Sequence, residues 1–341
     1  MNKIILILLI IFINKHAFTK NLFDTKFYNI QFESNNIENE KLNKINDLKI
    51  ELILSIFKKT LNNKSFKVIS KNLNEDLINT FIKNIIINNE KIIDNKYYAD
   101  IKINFDKKSI IDYFRENKIS YVDYYPKNFL LIILQKNDLN NYLFSINNNY
   151  YSFYINKFVN NDLFKIPNLD INDRFLLTPE DLEAKNFDKI KKFSSKYDLK
   201  EIVIIYAYNK NNKFNYDLLL ISDDKVFEKK INFTGNDLDK FFVILEHETI
   251  NSWKSINKIQ NKILNNLVCE IEYFNMLELK EIRNNLNNVS VIKNYIVKGL
   301  SYKKIKYQIN YFGNKKILYK ILHSNKLKIN YSKDFCTIRL K

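Results

Sequence analysis

Phe129-Leu130-Leu131-Ile132-Ile133-Leu134 and Ile202-Val203-Ile204-Ile205-Tyr206-Ala207 are two unbroken apolar runs. Runs this short read as strands, and the lack of polar alternation means that both of their faces are covered. Strands of that kind belong to parallel or mixed sheets. Between them, Thr178-Pro179-Glu180-Asp181 has the chemistry of a helix start: a hydroxyl cap, proline in the first turn, and acids at the positive end of the dipole. Leu182, Phe187, Ile190 and Phe193 give that helix its apolar face. A short helix is expected around Tyr151 to Phe158. Beyond the second run, Asn211-Asn212 and Asp223-Asp224 read as turns between further strands, with Phe214, Tyr216, Leu218 and Leu220 alternating inward. From Pro126 onward the order is β, crossover, α, β, β, β, an α/β middle domain over residues 124–235.

Upstream, Phe27 to Glu33 alternates as a strand, and Leu42, Ile45, Leu48, Leu52 and Ile56 form a helical stripe. Leu77, Ile78, Phe81, Ile82 and Ile85 fit a second helix capped by Asn74. A hairpin then turns at Asp94-Asn95, with Tyr97, Ala99, Ile101, Ile103 and Phe105 on one face. Asp106 caps a helix bearing Ile110, Ile111 and Phe114. Residues 24–119 thus predict a β-α-α-β-β-α domain. Downstream, a long helix from Asn236 or Asp237 carries Leu238, Phe241, Leu245, Trp253, Ile256, Ile259 and Ile263 and is read as a bridge over 236–264. Residues 265–341 follow as β-α-β-β-α-β, the ferredoxin-like split motif, ending in a strand or hairpin over Leu327 to Leu340. The fold class expected is α+β, in three domains.

The chain opens with one lysine, an apolar run from Ile4 to Ile13 and Ala17-Phe18-Thr19. This is the layout of a secretory signal peptide over residues 1–19. Ten apolar residues fall well short of the ~20 that span a bilayer. A soluble periplasmic chain starting near Lys20 is expected, with membrane attachment only if the signal stays uncleaved.

The 341 residues carry a formal charge of +17, yet Arg115, Arg174, Arg283 and Arg339 are the only arginines. Base and phosphate recognition favours arginine forks, so the scattered lysine pairs are read as solvated surface and no nucleic acid is expected as partner. The hydrophobic share of 46%, with 26 Phe and 22 Tyr, supplies real cores. Gly235, Gly299 and Gly313 stand alone, which excludes the glycine-rich phosphate loops of nucleotide sites.

Chemistry-bearing motifs are sparse. His247 in Glu246-His247-Glu248 lacks a second histidine four residues on, and His323 ends the last helix. No cofactor, metal or catalytic set is expected. Pro167, Asp170, Asp173 and Arg174 form the densest polar loop of the middle domain, the candidate binding loop. It resembles half of a calcium loop but lacks the glycine and the distal glutamate. Cys269 shares a strand face with Leu267 and Ile271, and Cys336 shares one with Ile338 and Leu340. In the split motif the first and last strands are antiparallel neighbours, so the two cysteines can form a disulfide, the alternative being two buried free thiols.

The β-α-α-β-β-α opening, Tyr124-Tyr125-Pro126 before an apolar strand, Phe164-Lys165-Ile166-Pro167-Asn168-Leu169-Asp170 before an acidic helix start, and the Lys200 to Tyr208 strand resemble one family. It is the exported bacterial family catalogued as domain of unknown function twenty sixty-six. Pro126 and Ile166 to Asp170 match its pattern, while Tyr125 stands where the family has arginine. The middle domain is similar to the amino-terminal domain of TolB and the middle domain of flagellar assembly protein T. These resemblances imply a non-enzymatic periplasmic protein that binds or assembles an unidentified envelope component. The alternatives are an exported hydrolase with a dispersed site and a chain held at the inner membrane by an uncleaved signal.

Overall fold

Three sheets, with helices packed on them, make a mixed α+β fold. The computed structural model describes residues 22–126, 128–137, 140–158, 163–210, 213–233, 237–261, 263–332 and 335–341. The expected signal peptide and the Asn211-Asn212 turn lie outside the described residues.

In the first sheet, β1 (Tyr28–Glu33) and β2 (Ile82–Ile93) flank β3 (Lys96–Phe105), all antiparallel. The Asp94-Asn95 turn has both residues at positive φ, 46° and 61°, which matches the twist of the strands it joins. Helix α1 (Ile37–Thr60), capped by Asn36, buries Ile45, Leu48, Leu52, Ile53, Ile56 and Phe57. Leu42 of the expected stripe faces solvent instead. Two differences from the sequence reading stand out. Helix α2 (Asn63–Asn72) was not expected, because only Ile69 of it is buried. The helix capped by Asn74, α3 (Glu75–Thr80), stops where β2 begins, so Ile82 and Ile85 are strand residues. Asp106 caps α4 (Lys107–Glu116), as its spacing predicts.

The two apolar runs become β4 (Phe129–Lys136) and β7 (Glu201–Lys210), paired in parallel with Ile132 opposite Ile204. From Phe129 to Leu134 every side chain is buried. Short strands β5 (Asn141–Tyr142) and β6 (Phe164–Lys165) also pair with β4. On the other side, β8 (Lys213–Ser222) and β9 (Lys225–Phe233) complete the meander. Helix α5 spans Asn149–Lys157, close to its expected place. The helix begun by Thr178 forms with a full capping box, but it is two helices rather than one. Ala184 ends α7 (Pro179–Glu183), Lys185 takes a positive φ of 49°, and Asn186 caps α8 (Phe187–Lys196). The preceding α6 (Ile171–Leu176) is capped by Asp170.

Helix α9 (Leu238–Asn257), capped by Asp237, is no free bridge. Phe241, Phe242, Leu245 and Trp253 join the core of the middle sheet, and the helix ends before Ile259 and Ile263. Ile259 is buried and forms an isolated antiparallel bridge with Tyr121, while Ile263 is exposed. Two buried apolar clusters result among the described residues. One belongs to the middle sheet, and the other runs unbroken from the first sheet into the last.

The last sheet has the order β11 (Ile292–Ser301), β12 (Lys304–Phe312), β10 (Leu264–Glu272), β14 (Phe335–Leu340), β13 (Leu327–Ser332). Helices α10 (Met276–Asn287) and α11 (Lys315–Ser324) bury Leu279, Ile282, Leu286, Ile317, Leu318, Ile321 and Leu322 in its core. Residues Leu327 to Leu340 are a hairpin, and its second strand is the one that returns beside β10. That extra reversal makes β10 and β14 parallel, not antiparallel as the split motif alone requires. Glu270 lies opposite Thr337 and Ile271 opposite Ile338, so Cys269 falls opposite Cys336. The two cysteines are disulfide-bonded, with Cα atoms 4.4 Å apart. Each cysteine takes the strand face expected of it, although the strands run parallel.

Candidate functional site at the junction of the three sheets

The polar loop singled out by sequence is built into the fold. Asp170 caps α6 by accepting from the Asp173 amide at 2.8 Å. Asp173 is fully buried and accepts from the Tyr197 hydroxyl at 2.6 Å, the Lys196 ammonium at 2.6 Å and the Leu169 amide at 3.2 Å. Arg174 donates to the Phe144 carbonyl at 2.7 Å, and Pro167 is buried. Burial and then Asp173 push the Tyr197 phenol above its ordinary range. Asp170, Asp173 and Arg174 are thus bonded within the middle domain. His247 faces Asn63 and Asn251, and His323, its pKa lowered by burial, lies far along the chain. Among the described residues no cluster of three or more His, Cys, Asp or Glu is placed to hold a metal ion.

Convergent charge appears elsewhere, around the segment from Tyr121 to Tyr125 where all three sheets meet. Toward the last sheet, the Asp123 carboxylate is almost wholly buried and is met by Lys107 of α4 at 2.8 Å and by the Ser290 hydroxyl. Arg115 of α4 donates to the Ser290 carbonyl and lies 4.8 Å from the Phe312 ring centre. Helix α4 thus joins the first and last sheets through charge-assisted bonds and a cation–π contact.

Between the middle and last sheets, the Asp223-Asp224 hairpin turn faces α11. Lys316 and Lys320 are four residues apart and so share a helix face. Lys316 pairs with Asp224, and Lys320 pairs with Asp223 at 2.7 Å and with buried Glu201 at 3.2 Å. Burial raises the Glu201 pKa and Lys320 opposes the rise. Burial also works against the Lys320 charge, but Tyr124, Glu201 and Asp223 outweigh it and hold the ammonium protonated. The partly open cleft lined by Tyr124, Asn257, Lys225 and these ion pairs measures about 50 Å³. That holds a few waters, far below the ~300 Å³ at which small-molecule sites begin.

Between the first and middle sheets, Lys254 of α9 reaches the end of α1, where helix carbonyls lack intrahelical donors. Its ammonium donates to the carbonyls of Lys58 and of Leu61, the latter at 3.1 Å. Burial, with a smaller push from Lys58, lowers its pKa from near 10.5 to about 8. Between those two values the unfolded chain keeps a proton that the folded chain has released, so stability rises with pH across that window. Wild type should therefore gain on Lys254→Met, which cannot titrate, by on the order of 2 kcal/mol between pH 7 and pH 10. Urea melts of both proteins at the two pH values measure the difference. An unchanged difference overturns the assignment.

No family model, curated protein or solved structure matches the chain.

The junction residues Asp123, Glu201, Lys254 and Lys320 carry no local sequence signal. Their partners lie 16 to 196 residues away, and no spacing rule reaches that far. The one local signal was the adjacent Tyr124 and Tyr125, which pack edge-on and face-on against the buried Trp253 at 5.0 and 5.7 Å between ring centres.

Proposed function

We propose that the chain is a non-enzymatic exported protein that binds or assembles another component of the cell envelope by strand addition at an exposed sheet edge. The observation that carries this reading is β2. It is a twelve-residue strand at the edge of the first sheet, bulged between Asn88 and Lys91, and its last residues Ile92 and Ile93 are more than half exposed. An edge of that length offers a row of amides and carbonyls to an extended segment of a partner, with Ile92 and Ile93 giving apolar contacts. The junction supports the same reading, because its ionisable groups are paired across domains and serve to lock them. The disulfide is compatible with an oxidising compartment, and no helix of the described residues is long and apolar enough to cross a membrane.

In this reading the last sheet is a ferredoxin-like core with one strand added, and the middle sheet is of the TolB amino-terminal type. The resemblance to the exported family rests on the residues quoted for it. A photoreactive residue at Ile92 in the native host should yield one discrete protein adduct that a probe at the opposite edge, on Asn29, does not. Absence of any adduct, or a hydrolytic activity abolished by a single carboxylate substitution, would replace this reading with an enzymatic one.

A further inference from the structure

The end of the last sheet where β10 stops and β11 turns into β12 carries an exposed apolar cluster. Glu272 lies opposite Lys304, which is also opposite Ser301, and the Tyr273 amide donates to the Lys303 carbonyl at 3.1 Å. The entry to α10 and the β11–β12 turn are thus neighbours at one tip. Phe274, Met276, Leu277, Leu300 and Tyr302, all at this tip, are between 68 and 86% exposed. Single exposed apolar residues are ordinary, but five large ones at one tip mark an interaction surface.

Charge identifies the occupant. Residues 265–341 hold 15 Lys and Arg against 5 acids, a net +10, whereas residues 22–264 hold 37 against 33, a net +4. At the tip the acids are already engaged: Lys304 meets Glu270 and Glu272, Arg339 meets Glu272, and Glu278 accepts from the Phe274 amide. Lys298, Lys303 and Lys306 have no ion-pair partner among the described residues. A second copy of the chain would bring +10 against +10. A nucleic-acid site would favour arginine, but 13 of the 15 cations are lysine. Protruding apolar side chains ringed by lysines fit the boundary between headgroups and acyl chains of an anionic bilayer.

We propose that this tip is a peripheral membrane-docking site. Phe274, Leu277, Leu300 and Tyr302 enter the acyl boundary, and Lys298, Lys303 and Lys306 pair with lipid phosphates. The assignment is independent of strand addition at β2, which lies in another sheet.

The test uses the full chain carrying Tyr302→Trp, since the native Trp253 is fully buried and does not report on the surface. Equimolar phosphatidylglycerol and phosphatidylcholine vesicles should shift its emission to the blue, and brominated acyl chains should quench it. Phosphatidylcholine alone should do neither. Adding Phe274→Ser and Leu277→Ser should weaken the partition about tenfold or more, and raised salt should weaken it further. Two results overturn the proposal. One is an unshifted emission with anionic vesicles, even if the apolar run at Ile4 to Ile13 holds the chain on them. The other is self-association in the absence of vesicles that the two serines abolish.

Discussion

Trp253→Ala is expected to destabilise the protein by about 4 kcal/mol, the range for removing a buried large aromatic side chain, and to loosen the first sheet from the middle one. The indole is fully buried in the middle core. It stacks on Tyr125 and meets Tyr124 edge-on, so it holds the connecting segment as well as the core. The Tyr125 hydroxyl in turn donates to the Lys59 carbonyl at the end of α1, and the Val122 amide donates to the Thr60 carbonyl. Losing the indole removes the wall against which those bonds are aligned. The indole nitrogen has no hydrogen-bond partner among the described residues, so Trp253→Phe orphans none of them and should cost about 1 to 2 kcal/mol. Thermal melts give the order wild type, Phe, Ala. Limited proteolysis should cut the alanine variant first between Tyr121 and Pro126. If alanine costs under about 1 kcal/mol and leaves that segment resistant, the clamp does not exist.

The second large effect is covalent. Removing the Cys269–Cys336 disulfide, by reduction or by Cys269→Ala with Cys336→Ala, should cost about 4 kcal/mol in the chain-entropy account of a 67-residue loop. The alanines avoid burying hydroxyls at two positions that are no more than 2% exposed. The loop encloses α10, β11, β12, α11 and β13, so the unfolded last domain regains most of its freedom once the bond is gone. The melting temperature of that domain should fall by about 15 °C or more. Melts of the oxidised and reduced wild type, followed by tyrosine exchange or amide protection in Lys304–Phe312, give the value. A fall of only a few degrees would mean that the contacts with the first sheet, not the bond, hold the domain closed.

Local chemistry was legible in the sequence wherever it alone decides. The Asp94-Asn95 turn, the caps at Asn74, Asp106 and Thr178, and the two buried strands all act through neighbours within a few residues. Errors arose where two local readings coincided. Leu77, Ile78, Phe81, Ile82 and Ile85 satisfy helical spacing, yet the chain changes state at Phe81, because pairing with β3 outweighs propensity from Ile82 onward. Reading β14 as antiparallel to β10 failed for a topological reason. Strand parity fixes which face Cys336 takes, but not how many reversals precede it. The density of polar groups at Asp170 and Asp173 reflects a helix cap and a buried carboxylate, whose partners Lys196 and Tyr197 lie more than 20 residues on. The junction was illegible because Lys254, Lys320 and Asp123 gain meaning only when distant backbone arrives beside them.

The bridge between Tyr121 and Ile259, with the Ile259 amide donating to the Tyr121 carbonyl at 2.7 Å, places the entrance and exit of the middle domain side by side. Mechanically, the middle domain is a side loop on a continuous body made of the first and last sheets. Tension applied between those two sheets divides between two routes: the direct one across Lys107–Asp123 and Arg115–Ser290, and one through the middle domain by way of Lys254 against the end of α1 and Lys316 and Lys320 against the Asp223-Asp224 turn. The middle sheet bears load only in so far as that second route is stiff.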